Sequence, residues 1–491
     1  MYRKKDATPE FPRMHLAFGG TLREDNRWVL LSLAIPWDEV EKRYAELMNP
    51  GNGRPALPVR VALGACIIKE KLKTTDEETV EQIRENPYLQ YFIGYEEYRD
   101  EQPFDPSMMV HFRKRLSGEI LKEINDLIVE REVKATGTYT EGKEKGPPEG
   151  EGGKCGTLIV DATCAPEAMR FPHDVTTLDE ARRKTERIID RLHDAMPEGS
   201  VKPRTHRKIA RREFLSFIRN RKPRVRDIRR ALKTQLQYIE RNLRNITEMA
   251  AVAGFSNLSR KEYRDLLVIS EYVRQQRELY REGELAGSGR IMSIWKPHVR
   301  AIARGKARGM YEFGAKLSVS LVEGYARVER LSWDNYNEGI ELKAQIEAHK
   351  ERYGAYPEVV CADKIYRNRD NLEFCKEHGI RLSGPKLGRP YKDEQRKRAQ
   401  RRIEREDEAM RVAIEGKFGE GKTRYTLDRI ETRLKETSES VIMMVFLLMN
   451  LAKVVRVRGR DLLFVFVYLI KGIAENLCFG FGFNRKAVRA A

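Results

Sequence analysis

Thr157-Leu158-Ile159-Val160-Asp161 and Pro357-Glu358-Val359-Val360-Cys361-Ala362-Asp363 share one design: a short apolar run, then an acid, then a loop. Each predicts a buried strand that delivers a carboxylate at its end. Side by side in one sheet, the two strands would set Asp161 and Asp363 at one edge, facing one pocket. Carboxylates that close repel each other, and a hard divalent cation holds them together. Mg²⁺ uses few protein carboxylates and leaves positions for water and phosphate oxygens, the arrangement phosphoryl transfer needs. A third acid from a helix would complete it. Glu415 fits: at 100° per residue, Glu408, Arg411, Glu415 and Lys422 fall on one helix face. An acid flanked by Arg and Lys suits a metal ligand with phosphate-binding neighbours. A salt-bridged solvent face is the ordinary alternative for such spacing.

Outward from these strands, the chain divides by composition. Residues 1–135 read as helical, with Thr75-Asp76-Glu77-Glu78 as a capping box and Ser107 as the cap of a helix carrying Arg113, Lys114 and Arg115. Short helices with a basic last one suit a DNA reader of helix-turn-helix type. Residues 136–156, rich in Gly, Glu, Lys and Pro, read as a flexible linker. Residues 157–170 plus 311–435 form the strand-bearing core. Lys316–Val322 and Tyr325–Leu331 alternate with period two across Glu323-Gly324, a hairpin signal. Helices are expected at 339–353, 368–378 and 392–418.

Between the core segments, residues 171–310 read as a helical insertion. Thr177-x-x-Glu180 and Ser259-x-x-Glu262 are its capping boxes. From Lys202 to Lys233 it holds 14 Lys and Arg against Glu213 and Asp227. That density exceeds what solubility needs and points to nucleic acid, with Arg211, Arg212, Arg229 and Arg230 as candidate contacts. Residues 436–491 read as closing helices.

Composition narrows the class. The 491 residues carry 93 Lys+Arg against 74 Asp+Glu, a net charge of +19 at pH 7, which calls for a polyanionic partner. At about 150 residues per domain the chain makes two to four domains. The apolar runs Val441–Met449 and Leu462–Ile470 fall short of the roughly 18–20 residues that span a bilayer, and no secretory signal opens the chain, so no membrane role is expected. The six cysteines form no C-x-x-C pair and the histidines no H-x-x-x-H pattern, which excludes a zinc site or disulfide scaffold and fits a reducing cytoplasm.

Four segments together make a family resemblance. Leu158–Thr163 looks like the first-acid strand of the DDE transposases of bacterial insertion sequences, in the broad group spanning the IS-four and IS-five superfamilies. Val360-Cys361-Ala362-Asp363-Lys364-Ile365-Tyr366 looks like the second-acid strand, with Ile365 where Gly is common. Arg411-x3-Glu415-x6-Lys422 matches the family's Arg-Glu-Lys spacing, with Glu408 at its Tyr position. Glu85–Gly94 with Pro103–Ser107 resembles the InsH-like N-terminal domain. The resemblance implies a mixed α/β fold: an RNase H-like catalytic core with a helical N-terminal domain and a large helical insertion. It implies Asp161, Asp363 and Glu415 as catalytic and metal-binding triad, holding Mg²⁺, or Mn²⁺ in its place, as two ions. Its partners would be double-stranded DNA, namely terminal inverted repeats and target, bound by a homodimer on a prokaryotic nucleoid. Arg411 and Lys422 would neutralise phosphates, and Lys364 and Arg367 would contact backbone.

Two other readings compete. One is a DNA-binding relative without catalysis. The other starts from Gly416-Lys417-Phe418-Gly419-Glu420-Gly421-Lys422-Thr423, which matches the phosphate-cradling G-x-x-x-x-G-K-[ST] and would make the chain an ATPase acting on DNA. The charged helical pattern before that stretch and the short chain after it count against a P-loop.

Overall fold

The computed structural model describes residues 21–46, 56–137, 154–169, 173–283, 289–303, 311–385 and 393–480, with side chains through Arg458. Residues 138–153 of the expected linker lie outside the described residues, as do the side chains of the run Leu462–Ile470.

Seven helices come first: α1 (Arg27–Ala34), α2 (Trp37–Glu46), α3 (Val59–Leu72), α4 (Asp76–Glu85), α5 (Pro87–Phe92), α6 (Met108–Arg115) and α7 (Gly118–Ala135). The Thr75 hydroxyl caps α4 by accepting the Glu78 N–H, as expected. Ser107 makes no cap bond with its side chain; its own N–H donates to Asp105 Oδ1 at 2.8 Å instead.

Strand β1 (Thr157–Pro166) begins the sheet. Then α8 (Asp174–His193), α9 (Arg207–Arg219), α10 (Val225–Ala253) and α11 (Arg260–Glu282) form the helical excursion. Ser259 and Glu262 close the expected capping box at α11. Thr177 does not cap: α8 starts three residues earlier, and the Thr177 hydroxyl donates back to the His173 carbonyl. A short polar side chain inside the first turn finds a backbone acceptor there as readily as at the cap.

The chain returns through β2 (Arg300–Ala303), β3 (Tyr311–Val322), β4 (Tyr325–Ser332), α12 (Leu342–Tyr353), β5 (Val359–Cys361), α13 (Arg369–Glu377), β6 (Arg381–Leu382), α14 (Glu394–Arg424) and α15 (Lys435–Gly480). The β3–β4 hairpin turns at Glu323-Gly324, both at positive φ. In place of two closing helices, 435–480 is one continuous helix, about 69 Å long at 1.5 Å per residue.

The strand order is β2-β3-β1-β5-β6, with β4 also paired to β3. β1 is the hinge of a mixed sheet, antiparallel to β3 and parallel to β5. It does not end at Asp161. It runs five residues further, because β3 is long enough to pair with it through Pro166 while β5 stops at Cys361.

One apolar core joins the seven N-terminal helices, the sheet, α14 and α15. α15 is its spine: Ile442, Phe446, Leu447, Met449, Leu451 and Val454 are buried, and the helix packs against α7, α1 and β4. The stretch Lys435–Arg458 is long and apolar enough to cross a bilayer, but 67% of its apolar window is buried inside the protein, as in a core helix. Asn450 locks it in place: its Nδ2 donates to Asn125 Oδ1 of α7 at 2.8 Å and to the Ala326 carbonyl of β4 at 2.7 Å, and its Oδ1 accepts the Ala326 N–H at 2.9 Å. The helical excursion has cores of its own, around Leu178, Ile239 and Ile269 and around Ile189, Ile246 and Leu266.

Candidate functional site

The register of β1 and β5 sets the two aspartates level. Thr157, Leu158 and Ile159 face Val359, Val360 and Cys361. Carried two residues further, that register brings Asp161 opposite Asp363. Asp161 sits mid-strand, half-buried, its Oδ1 accepting the next N–H, of Ala162, at 2.8 Å. Asp363 lies just past the end of β5, exposed, where its side chain caps the 3-10 turn Lys364–Tyr366 by accepting the Lys364 N–H at 2.7 Å.

Burial pushes the Asp161 carboxyl up to about 6, and the negative charges of Asp363 and Glu338 push the same way. The Ala162 N–H and the Arg411 guanidinium oppose the rise. Asp161 is thus a largely buried carboxyl with two other acids within electrostatic reach, a setting that a bound cation would relieve. The donors are all carboxylate oxygens, which suits a hard ion such as Mg²⁺.

Helix α14 crosses β1 and β5. Asp407, Ile414 and Phe418 form its buried stripe, and Arg381 of β6 pins Asp407 with an Nη1–Oδ2 distance of 2.5 Å. On the wheel, Arg411, Lys422 and Glu415 lie about 60°, 80° and 100° round from Ile414. They share one rim of α14 beside the sheet, and Lys422 is on the helix with them. Arg411 and Glu415 are joined, Nη1 to Oε1, at 2.9 Å. Asp161 therefore lies within electrostatic reach of Asp363 and Arg411, while Glu415 is half-exposed and engaged by that arginine. Among the described residues, no three acid, His or Cys side chains stand close enough to hold one ion.

The glycine-rich motif is not a P-loop. Gly416 to Thr423 lie wholly inside α14, and a helix turns its N–H groups into its own ladder rather than toward a phosphate.

Glu338 had no motif to mark it. It opens a 3-10 turn, Glu338–Ile340, that packs against the turn after Asp363. The Asn368 and Asn371 amides both donate to the Gly339 carbonyl, at 3.1 and 2.6 Å. A Cβ on Gly339 would sit 2.5 Å from the Ile365 carbonyl oxygen, so only glycine permits this approach. Glu338 itself is held by Lys316 at 2.6 Å. Tyr366 is buried beneath, its phenol pushed up by burial and then by the Glu338 and Asp161 charges. The signal that could have found this strap is Asn337-Glu338-Gly339, a turn sequence directly after the hairpin.

The basic residues divide. Arg113 is committed to Asp76, with two bonds of 2.7 and 2.8 Å. Arg115 is half-buried, and Lys114 is exposed beside them. Arg367 donates to the carbonyls of Leu382, Ser383 and Pro385, bracing the end of β6, whereas Lys364 is exposed. Arg211 pairs with buried Asp179 at 3.3 Å, and Arg229 lies over the Tyr280 ring and donates to its carbonyl at 3.4 Å. Arg212 and Arg230 are exposed and in no ion pair among the described residues.

Two family models match. The one described as "Transposase DDE domain" covers residues 360–452, from β5 into α15, and includes Asp363 and Glu415. "Transposase domain (DUF772)" covers residues 18–115, the N-terminal helices. Asp161 lies between the two. The "Uncharacterized protein ORF8 in nfe locus" of Rhizobium meliloti is 32% identical over 146 residues, which is 30% of this chain and 64% of that protein's length. No solved structure matches. With both matched domains in order along it, the chain is a relative of the DDE-type insertion-sequence transposases.

Proposed function

We propose that this transposase relative is an endonuclease and strand-transfer enzyme that cuts DNA at transposon ends and joins them to target DNA, using an RNase H-like core. The single observation that carries the reading is the level placement of Asp161, on β1, and Asp363, just past the end of the adjacent parallel strand β5. The mixed sheet with the first acid on its central strand and the helix of Glu415 laid across it supports the same core.

Asp161 and Asp363 would hold the divalent ion, Mg²⁺ or Mn²⁺ and in the full complex two of them, with Glu415 joining once its side chain turns from Arg411. Bound there, the metal supplies charge neutralisation and a more acidic water. The chain's own part is positioning. Arg411 and Lys422, on the rim beside the acids, would meet the non-bridging oxygens of the scissile phosphate. In the first step a water oxygen bonds to phosphorus and the bond to the 3′ oxygen breaks, leaving a 3′-hydroxyl and a 5′-phosphate. In the second that hydroxyl attacks a target phosphate and displaces its 3′ oxygen. Asp161, whose carboxyl ionises near 6, is charged at neutral pH and so ready to bind metal.

The DNA partners would be terminal inverted repeats and target, and pairing two ends calls for a homodimer. We place the activity in the prokaryotic cytoplasm, on the nucleoid. The exposed residues Lys114, Arg212, Arg230 and Lys364 remain the better-placed duplex contacts among those named from sequence. Arg113, Arg211, Arg229 and Arg367 have partners in the protein and would have to exchange them. The domain scheme inferred from sequence, with a reader at 1–135 and a gripping insertion at 171–310, belongs to the same proposal.

The test is Mg²⁺-dependent nicking of DNA from the gene's own flanks. Asp161→Ala and Asp363→Ala should each abolish nicking and leave DNA binding intact. If both still cut, the reading fails. The Arg411–Glu415 pair favours a second reading, a DNA-binding relative without catalysis, and a wild-type chain that binds those flanks yet never nicks them would establish it.

A further inference from the structure

The solvent face of α14 carries four arginines that the site above does not use. Arg398, Arg401, Arg402 and Arg405 line an open groove of about 400 Å³, with Glu406 as its one acid. On the wheel the four fall within about 100°, and they point away from the stripe of Asp407, Ile414 and Phe418 that presses the helix onto the sheet. Arg402 pairs with Glu406 at 2.9 Å. Arg398, Arg401 and Arg405 are exposed and have no ion pair among the described residues. Four like charges on two turns repel one another, and the counter-charges are few: Glu406 pairs with Arg402, and Glu394 feels Arg401.

The same face then turns smooth. Ala409, exposed Val412, Gly416 and Gly419 follow in line. A Cβ at Gly416 or Gly419 would meet nothing within 4 Å, and neither glycine has positive φ. Glycine weakens a helix, and packing gives neither position a reason for it. A flat, uncluttered surface is what a ligand backbone lying against the helix requires.

We propose that this face of α14 is a track for the sugar–phosphate backbone of double-stranded DNA, running from the arginine groove to Glu415. Along the axis, Arg405 and Glu415 are about 15 Å apart, a span of a few successive phosphates on one backbone strand. The track's destination rests on the cleavage reading above; its capacity to bind duplex does not.

The test is equilibrium binding of the full chain to two duplexes of about 40 base pairs, one from the gene's flank and one of random sequence, between roughly 50 and 200 mM salt. Replacing Arg398, Arg401 and Arg405 together by Ala should weaken binding at least about tenfold and reduce the slope of log affinity against log salt by about 2 to 3. Far-UV circular dichroism should keep its helix signal and Tm should not fall, since all three side chains are in solvent. Gly416→Leu with Gly419→Leu should also weaken binding, but with the salt slope kept. Loss confined to the flank duplex assigns the track to the transposon end; loss on both assigns it to duplex of any sequence, target included. Unchanged affinity and slope on both duplexes in the arginine variant overturn the proposal. Failure of the cleavage reading is visible separately, as nicking by Asp161→Ala, and leaves the binding result standing.

Discussion

Arg411 Nη1 stands 2.9 Å from a carboxylate oxygen of Glu415, and the same guanidinium draws the Asp161 carboxyl downward against its burial. One cation thus serves two acids that the proposed mechanism assigns to metal. Arg411→Gln removes a charge that favours ionised Asp161. The acid limb of Mg²⁺-dependent nicking should move to higher pH, by about half to one unit, in single-turnover rates measured from pH 5 to 9. An unmoved limb would separate Arg411 from Asp161.

Asp161 makes the folded chain pH-sensitive. Its carboxyl is raised from 3.8 to about 6 on folding, chiefly by burial. The folded state then binds the proton more tightly than the unfolded one. This contribution is fully present below about pH 4 and is lost as pH rises through 6. Asp161→Asn should therefore be more stable than wild type at pH 7.5, by about 1–2 kcal/mol after allowing for the site's partial solvation. The gain should vanish at pH 4. Urea unfolding at both pH values reads the difference, and added Mg²⁺ should stabilise wild type more than the variant.

Asn450 joins α15, α7 and β4 through one buried amide. Asn450→Leu would strand the Ala326 N–H and Asn125 Oδ1, while Asn125 Nδ2 keeps the Ala326 carbonyl. The cost should be about 2–4 kcal/mol in unfolding free energy. Asn125→Ala should cost less, because Ala326 keeps Asn450. The double variant should cost less than the sum of the two.

The glycines of α14 divide by surroundings. Gly416→Ala and Gly419→Ala should each stabilise the chain by about 0.5–1 kcal/mol, since the new methyl meets open space. Gly421→Ala should gain nothing: its Cβ would lie 3.1 Å from Leu427 Cδ2 and 3.3 Å from Met449 Sδ. Thermal melts distinguish the three. No variant of Lys422 should affect ATP turnover, because the segment is helix throughout.

The strands that carry acids were legible because their apolar runs are unbroken and each ends on a charge. The β3–β4 hairpin was legible through Glu323-Gly324. The length of β1 was not, because Ala162 to Pro166 read as loop once Asp161 is taken as an end; a distant partner, β3, extends the strand. Four-residue β2 carries too little pattern to declare itself. Glu415 lay on its helix as spacing foretold, but spacing cannot say which of two neighbours, an acid pocket or Arg411, its side chain will meet. For the basic residues, sequence counted charges and could not see that Arg113 and Arg367 had partners. Glu338 depends on a turn-to-turn contact between segments about 25 residues apart, which no local pattern encodes.

Helix α15 follows every strand of the sheet in the sequence, yet it covers β4 and fastens α1 and α7 to the same core. During synthesis the N-terminal helices and the sheet must therefore wait, with apolar faces bare, until residues 442–454 leave the ribosome. The helices from α8 to α11 close on cores of their own and need no such delay. A ribosome that stalls before Lys435 would release a chain with a folded excursion and no settled pocket around Asp161 and Asp363. The DNA cutting proposed above would then be reserved for copies whose translation had gone past α15.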